Sequence, residues 1–163
     1  MKYSGKVWKF GANVDTDQII PSQYLVLPDL QEMAKHALEP LKSDFAEKYQ
    51  AGEIVVAGDN FGCGSSREQA VQVLKELGVK VIIAPSFARI FFRNSINLGV
   101  LVLEIKDADH FRQDDKIEVD LASSLVRNLT QGREYKIPPL SEFLREILSC
   151  GGLVEYLKAK GRV

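Results

Sequence analysis

Three short, unbroken apolar runs constrain this chain more than any other feature: Ile54-Val55-Val56-Ala57, Val81-Ile82-Ile83-Ala84 and Val100-Leu101-Val102-Leu103. Each is short for a helix and offers no polar residue to face water, so each reads as a strand buried on both faces. Between the first two, Ser66 to Leu77 reads as an amphipathic helix ending at Gly78; between the second and third, Phe87 to about Leu98 is helical and is stopped by Gly99. This alternation predicts an α/β fold with a central, mostly parallel sheet flanked by helices.

Beyond that unit, Lys116 to Pro138 reads as extra short antiparallel strands near the C-terminus. Ile117, Val119 and Leu121 alternate, and a polar turn spans Thr130 to Arg133. Ser141 is placed to cap a helix running to Leu148, with Glu142 in its first turn, and Gly151-Gly152 separates it from a short terminal helix. No internal repeat, low-complexity stretch or long linker divides the chain. Its 163 residues, 45% of them apolar, suit one core, so residues 1–163 are expected to form a single domain.

Charge and cysteine usage remove several functions. Lysine and arginine number 21 against 22 acids, a net charge of −1 with no basic run, which argues against nucleic acid. No apolar stretch approaches the ~20 residues of a membrane span, and Met1 to Asp17 lacks a signal-peptide core, so a soluble cytoplasmic protein is expected. Cys63 and Cys150 are too few for a disulfide framework or a four-thiolate site. His36 and His110 have no second ligand at metal spacing and read as surface histidines, so this chain is expected to bind no metal.

The segment richest in chemistry is Asp59-Asn60-Phe61-Gly62-Cys63-Gly64-Ser65-Ser66-Arg67-Glu68, at the carboxyl end of the first run, where open α/β sheets bind ligands. Gly62 and Gly64 permit close backbone approach, and free amides at a helix start favour a carboxylate or phosphate. A second reading stands beside this one: Ser65-Ser66-Arg67-Glu68 is also a capping box, with Ser65 capping the helix and Glu68 reaching back to its amide. No P-loop pattern is present, and Arg67 occupies the third glycine position of G-x-G-x-x-G, which disfavours nucleotides. Arg67 offers instead a planar fork suited to a carboxylate, beside two hydroxyls.

Gly62-Cys63-Gly64-Ser65-Ser66-Arg67-Glu68, followed by Ser86-Phe87-Ala88-Arg89-Ile90 and preceded by Asp15-Thr16-Asp17-Gln18-Ile19-Ile20-Pro21, resembles the swivelling C-terminal domain of the aconitase family. It resembles more closely the separate small subunits of the isopropylmalate dehydratase branch, over nearly the whole chain. The resemblance implies a swivelling β/β/α domain and a hydro-lyase of leucine biosynthesis. It also implies a 4Fe-4S cluster on a large subunit, with which this chain would form a heterodimer or heterotetramer active on a hydroxy-diacid. By the same resemblance Ser65 is the general base, Arg67 grips a substrate carboxylate, Ser66 adds a hydrogen bond, and Asp17 orients Arg67 or a neighbouring donor. For Asp17 an Asx-turn or helix-cap role is the other reading. Arg89 and Arg93 read as solvated arginines on a helix face.

A helix N-terminus contributes only about 0.3 to 1 kcal/mol when exposed, whereas one pKa unit is already ~1.4. The dipole alone therefore leaves Ser65 several units short of a base competent near neutral pH, and the remainder is expected from a closed interface with the large subunit.

The segment after the first motif, Ser22-Gln23-Tyr24-Leu25-Val26-Leu27-Pro28, is the specificity loop in the family. No lysine or arginine lies between Ala12 and Met33 to meet a third carboxylate. Tyr24, Leu25, Val26 and Leu27, together with Gly64, are therefore expected to bind substrate; ordinary core packing is the other reading of the four loop residues. A small branched alkyl group would gain ~0.8 kcal/mol per CH2 against the loop. Isopropylmalate fits this loop better than citrate or homocitrate. The small subunit of a citraconate (2-methylmalate) hydratase or of homoaconitase, and a non-catalytic anion-binding module, are the alternatives.

Overall fold

The three apolar runs do become adjacent parallel strands. In the computed structural model, which describes residues 1–163, they are β2 (Ile54–Val56), β3 (Val81–Ala84) and β4 (Leu101–Glu104), joined by helices α4 (Gln69–Glu76) and α5 (Arg89–Asn97). Val55 pairs with Ile82 and Val81 with Leu101, in parallel register. The C-terminal region supplies β5 (Lys116–Asp120), β6 (Leu125–Asn128) and β7 (Arg133–Lys136), all antiparallel as expected.

An unforeseen strand, β1 (Lys2–Lys9), joins the two halves. Lys2 to Lys6 pair antiparallel with β5, and Val7 to Lys9 pair parallel with β2, giving one seven-stranded sheet in the order β4-β3-β2-β1-β5-β6-β7. Its first half alternates exposed and half-buried residues, so it carries no apolar run by which a buried strand is recognised.

Successive side chains on the parallel strands enter two different cores. Val55, Ile82, Ala84 and Val102 pack with Ala70, Val73, Leu74 and Phe91 beneath α4 and α5. Ile54, Val56, Ile83 and Leu101 pack with Ile117, Val119, Val126 and Tyr135 from the antiparallel half. The sheet therefore curls until its own second half covers the face that the helices leave open. This is the expected β/β/α layering, and it explains why runs buried on both faces need helices on only one. Full burial of such a valine or isoleucine contributes about 1.5–3 kcal/mol, so the alternation itself holds the register.

Between β1 and β2 lie three short helices, α1 (Thr16–Ile19), α2 (Leu30–Ala34) and α3 (Phe45–Lys48), and a 3-10 turn over Ser22–Val26. At the C-terminus, the Ser141 hydroxyl accepts from the Leu144 amide at 3.3 Å and opens α6 (Glu142–Cys150); Gly151, left-handed at φ 84°, ends it before α7 (Leu153–Ala159). No helix is long and apolar enough to cross a membrane.

Pairing continues past the carboxyl ends of β1, β2 and β3, and this positions the site. Gly58 N donates to Gly11 O at 2.9 Å, Gly62 N to Val14 O at 2.7 Å and Thr16 N to Cys63 O at 2.8 Å. On the other side Phe61 N donates to Ser86 O and Ala88 N to Phe61 O, at 3.1 and 2.9 Å. The three loops holding Asp15–Pro21, Gly62–Glu68 and Ser86–Ile90 thus lie side by side.

Candidate active site

The glycine turn is shaped by its neighbours on both sides. Gly62 has φ 79°, and a Cβ there would sit 2.1 Å from the Phe91 ring, so this glycine admits a core aromatic rather than a ligand. Gly64, at φ 96°, turns the exposed Gly64-Ser65-Ser66 segment toward α1, where a Cβ would come within 3.2 Å of Thr16 Oγ1.

That turn decides what Ser65 does. Its amide donates to Thr16 Oγ1 at 3.1 Å, and its hydroxyl lies 2.9 Å from the same oxygen. The capping-box reading is thereby overturned: α4 begins at Gln69, Glu68 stands at the N-cap position without a side-chain cap bond, and Ser65 faces Thr16 instead. A capping box does form, but on α1. There Asp15 Oδ1 accepts from Gln18 N at 2.9 Å and Gln18 Oε1 accepts from Asp15 N at 3.1 Å. Because Ser65 precedes α4 by four residues, the dipole of that helix reaches it only weakly. The nearest polarising group is the Thr16 hydroxyl, buried to 2% exposure, which can donate to Ser65 Oγ while accepting from the Ser65 amide.

Arg67 is gripped from one side. Nη1 donates to Asp17 Oδ1 and to the Ile20 carbonyl, and Nη2 donates to Ser22 Oγ, each at 3.2 Å. Three of the five guanidinium donors are thus engaged, leaving the Nε hydrogen and one on Nη2 without an acceptor in the chain. The amides of Ser66, Arg67 and Glu68 likewise have no acceptor within the chain. These unpaired amide and guanidinium hydrogens are the kind of donors that an anion takes.

Asp17 caps no helix, since that task falls to Asp15. Its Oδ1 accepts from the Ser22 hydroxyl at 2.6 Å, the Ser22 amide at 3.2 Å and Arg67. The Ser22 hydroxyl first, then Arg67 and the Ser22 amide, hold its carboxyl below the ordinary range, so it is ionised beside the fork at neutral pH. Cys63, half-buried between the glycines, is pushed the other way: burial first, then the nearby Asp15 charge, raises its thiol and keeps it protonated.

In the loop that follows, Tyr24 and Leu25 pack against the helix-side core, Leu27 is half-buried, and Val26 is 87% exposed. Ser65, Ser66, Arg67, Asp17 and Gly64 all lie on the paired carboxyl-end loops, and Val26 on the 3-10 turn that follows the first of them. Arg89 and Arg93 are exposed on α5 and form no ion pair within the chain, which leaves them outside this cluster. Thr16, Ser22 and the Ile20 carbonyl are additions to it. Thr16 and Ile20 lie within the Asp15–Pro21 motif and Ser22 directly follows it, but only the pairing of distant loops reveals their partners.

Residues 31–108 match the family described as the aconitase C-terminal domain, a stretch that includes the glycine turn and the Ser86–Ile90 loop. The chain is 52% identical to 3-isopropylmalate dehydratase small subunit 1 of Thermotoga maritima, across 96% of this chain and 95% of that protein. Identity is also 52% with the corresponding subunit of Archaeoglobus fulgidus, across 95% and 96%. The crystal structure of 3-isopropylmalate dehydratase from Methanocaldococcus jannaschii superposes with a TM-score of 0.93 at 43% identity, covering 99% of this chain and 96% of that one.

Proposed function

Because the chain belongs to the family of 3-isopropylmalate dehydratase small subunits, we propose that it contributes the proton-transferring serine and a carboxylate-binding arginine to a site completed by a large subunit. It is the small subunit of a hydro-lyase that interconverts 2-isopropylmalate and 3-isopropylmalate in leucine biosynthesis, by loss and return of water. On this reading residues 1–163 form one swivelling domain of a cytoplasmic heteromer.

One observation carries the assignment of roles. Arg67 is fixed by Asp17, Ile20 and Ser22 with two donors left over, on the same exposed turn as Ser65. Those two donors take one substrate carboxylate, and charge-assisted bonds of this kind orient the diacid as well as hold it. Ser65 Oγ then accepts the proton from the carbon next to the one losing its hydroxyl, and returns a proton when water adds back the other way. A hydrogen bond from Thr16 stabilises negative charge on Ser65 Oγ, and the free amides of Ser66 to Glu68 stabilise charge building on the carboxylate. Ser66 supplies one further hydrogen bond. Val26, with no cover of its own, meets the isopropyl group; Gly64 and the half-buried Leu27 extend the wall, while Tyr24 and Leu25, packed against the core, support it from behind.

The chain brings no group of three or more His, Cys, Asp or Glu side chains together, so its donor set does not fit a 4Fe-4S cluster. The cluster, which supplies Lewis-acid binding of the leaving hydroxyl, is assigned to the large subunit. Closure against that subunit also removes the water that now reaches Ser65, which strengthens each of these interactions.

The test is reconstitution with a cluster-bearing large subunit and a direct assay of isopropylmaleate hydration. Wild type should turn over only as the assembled enzyme, while Ser65→Ala should assemble normally and lose turnover. An S65A enzyme with wild-type kcat would remove the serine from its role.

A further inference from the structure

The loop that carries Val26 is anchored twice. Ser22 is held by Asp17 and Arg67. The other anchor lies outside the catalytic turn: the Tyr24 ring lies flat on the His36 ring, centroids 3.6 Å apart and planes 8° from parallel. His36 is itself held from behind, its Nδ1 3.0 Å from Glu39 Oε2. An ionised carboxylate only accepts, so Nδ1 carries the hydrogen and the ring plane is fixed. The Tyr24 hydroxyl first, and then His36, hold the Glu39 carboxyl below its ordinary range. The segment is joined to the site from below as well, since Leu38 N donates to Ile19 O at 2.9 Å.

The 3-10 turn transmits that anchoring. Tyr24 N donates to Pro21 O at 3.0 Å and Leu27 N to Tyr24 O at 3.1 Å, so Val26 sits inside a hydrogen-bonded turn whose only aromatic ring is clamped by His36. A side chain 87% exposed on so well-held a turn has no packing role inside the chain. Its position matters only to something outside.

The geometry points to His36 as a positioning residue for alkyl-group selectivity: with Glu39 it fixes Tyr24, and through Tyr24 it sets where Val26 meets the substrate's branch. This rests on the preceding reading of Ser22–Leu27 as the loop that faces that branch. Isopropylmaleate and citraconate differ only in carrying an isopropyl or a methyl group. A well-formed apolar wall discriminates about tenfold or more per methylene, and a wall free to rock does not.

The experiment uses the assembled enzyme and compares kcat/KM for hydration of isopropylmaleate with that for citraconate. His36→Leu, which fills the volume without a flat face, should lower this ratio about tenfold, mainly through KM for isopropylmaleate, with kcat on citraconate changed less than about twofold. His36→Phe, which keeps the stack, should stay within about threefold of wild type. Equal losses on both substrates in H36L, or a ratio as low in H36F as in H36L, overturns the inference. If H36L does not assemble, His36→Ala replaces it and faces the same comparison. A wild-type enzyme that hydrates neither substrate defeats the proposed function and this inference with it, whereas an active wild type with an unaltered ratio in H36L defeats the inference alone.

Discussion

Ser22 and Arg67 share a hydroxyl: Arg67 Nη2 donates to Ser22 Oγ at 3.2 Å, and Ser22 Oγ donates onward to Asp17 Oδ1 at 2.6 Å. The fork assigned to the substrate carboxylate and the loop assigned to its alkyl branch are therefore one hydrogen-bonded unit. Ser22→Ala removes two of these bonds from an exposed residue without touching the core. At about 0.5–1.5 kcal/mol each, about 1–3 kcal/mol together, their loss should raise KM for isopropylmaleate by about fivefold to a hundredfold while kcat stays within about twofold. Steady-state kinetics of the reconstituted enzyme measure both.

Thr16 is the only side chain that touches both the amide and the hydroxyl of Ser65. Thr16→Val preserves volume at this buried position and deletes the oxygen. With the serine left unsupported, kcat should fall about tenfold to a hundredfold, with KM nearly unchanged, since the lost bond acts on charge that develops only during proton transfer. Thr16→Ser keeps the oxygen and should retain most of the activity. A fall in KM-dependent binding instead, with kcat preserved, would assign Thr16 to loop shape alone.

Arg67→Lys keeps the charge and loses the fork. A single ammonium cannot satisfy Asp17, the Ile20 carbonyl and Ser22 while also taking a carboxylate in two bonds. Losing two charge-assisted bonds at about 1.5–3 kcal/mol each predicts at least a hundredfold drop in kcat/KM. Circular dichroism should be unchanged, because Asp17 and Ser22 are both exposed.

What was legible in the chain divides along physical lines. The run Val81–Ala84 became β3 with the same boundaries, because four apolar residues in succession have few other places to go. β1 was not legible, since Lys2 to Lys6 face solvent on one side and their strand character comes from pairing with β5. The turn holding Ser65 and Arg67 was legible from its glycines and its place after a strand. Its local conformation was misread, because Ser65 does look like a cap until a threonine 49 positions away claims both its polar groups. His36 read as an ordinary surface histidine for the same reason: its neighbour is Tyr24, brought there by a turn whose residues show no periodicity.

Acid stability follows from carboxylates in the antiparallel half. The Ser123 hydroxyl first, then the amides of Ser123 and Ala122 and the Lys2 charge, pull Asp120 down to about 2. Asp115 is also lowered: burial pushes it up, but the Arg112 amide and the side chains of Asn128 and Gln131 outweigh this. A folded value below the unfolded one means that protonation favours unfolding. The contribution is complete above the unfolded value of about 3.9 and is lost as pH falls toward the folded value. The Tm should therefore be flat down to about pH 4.5 and decline between about pH 4 and 2. Asp120→Asn should lower Tm at neutral pH and make that decline shallower, as differential scanning calorimetry across the range would register.

Val26 gives the most direct handle on what the enzyme accepts. It lies in a stretch without a single lysine or arginine, and at 87% exposure it can be replaced at little cost to the fold, within about 0.5 kcal/mol. Val26→Arg puts a guanidinium where the alkyl branch is assigned. The isopropyl group would then lie against a charge that has to be stripped of water, while a third carboxylate would gain a partner it otherwise lacks. Activity on isopropylmaleate should fall at least about tenfold, and a tricarboxylate such as homoaconitate should become a measurable substrate. Loss of the first activity without gain of the second would mean that Val26 lines the wall but that the wall lies away from where a third carboxylate would sit. No change in either would move the specificity role off this loop, and would remove the need for the Tyr24–His36 clamp as well.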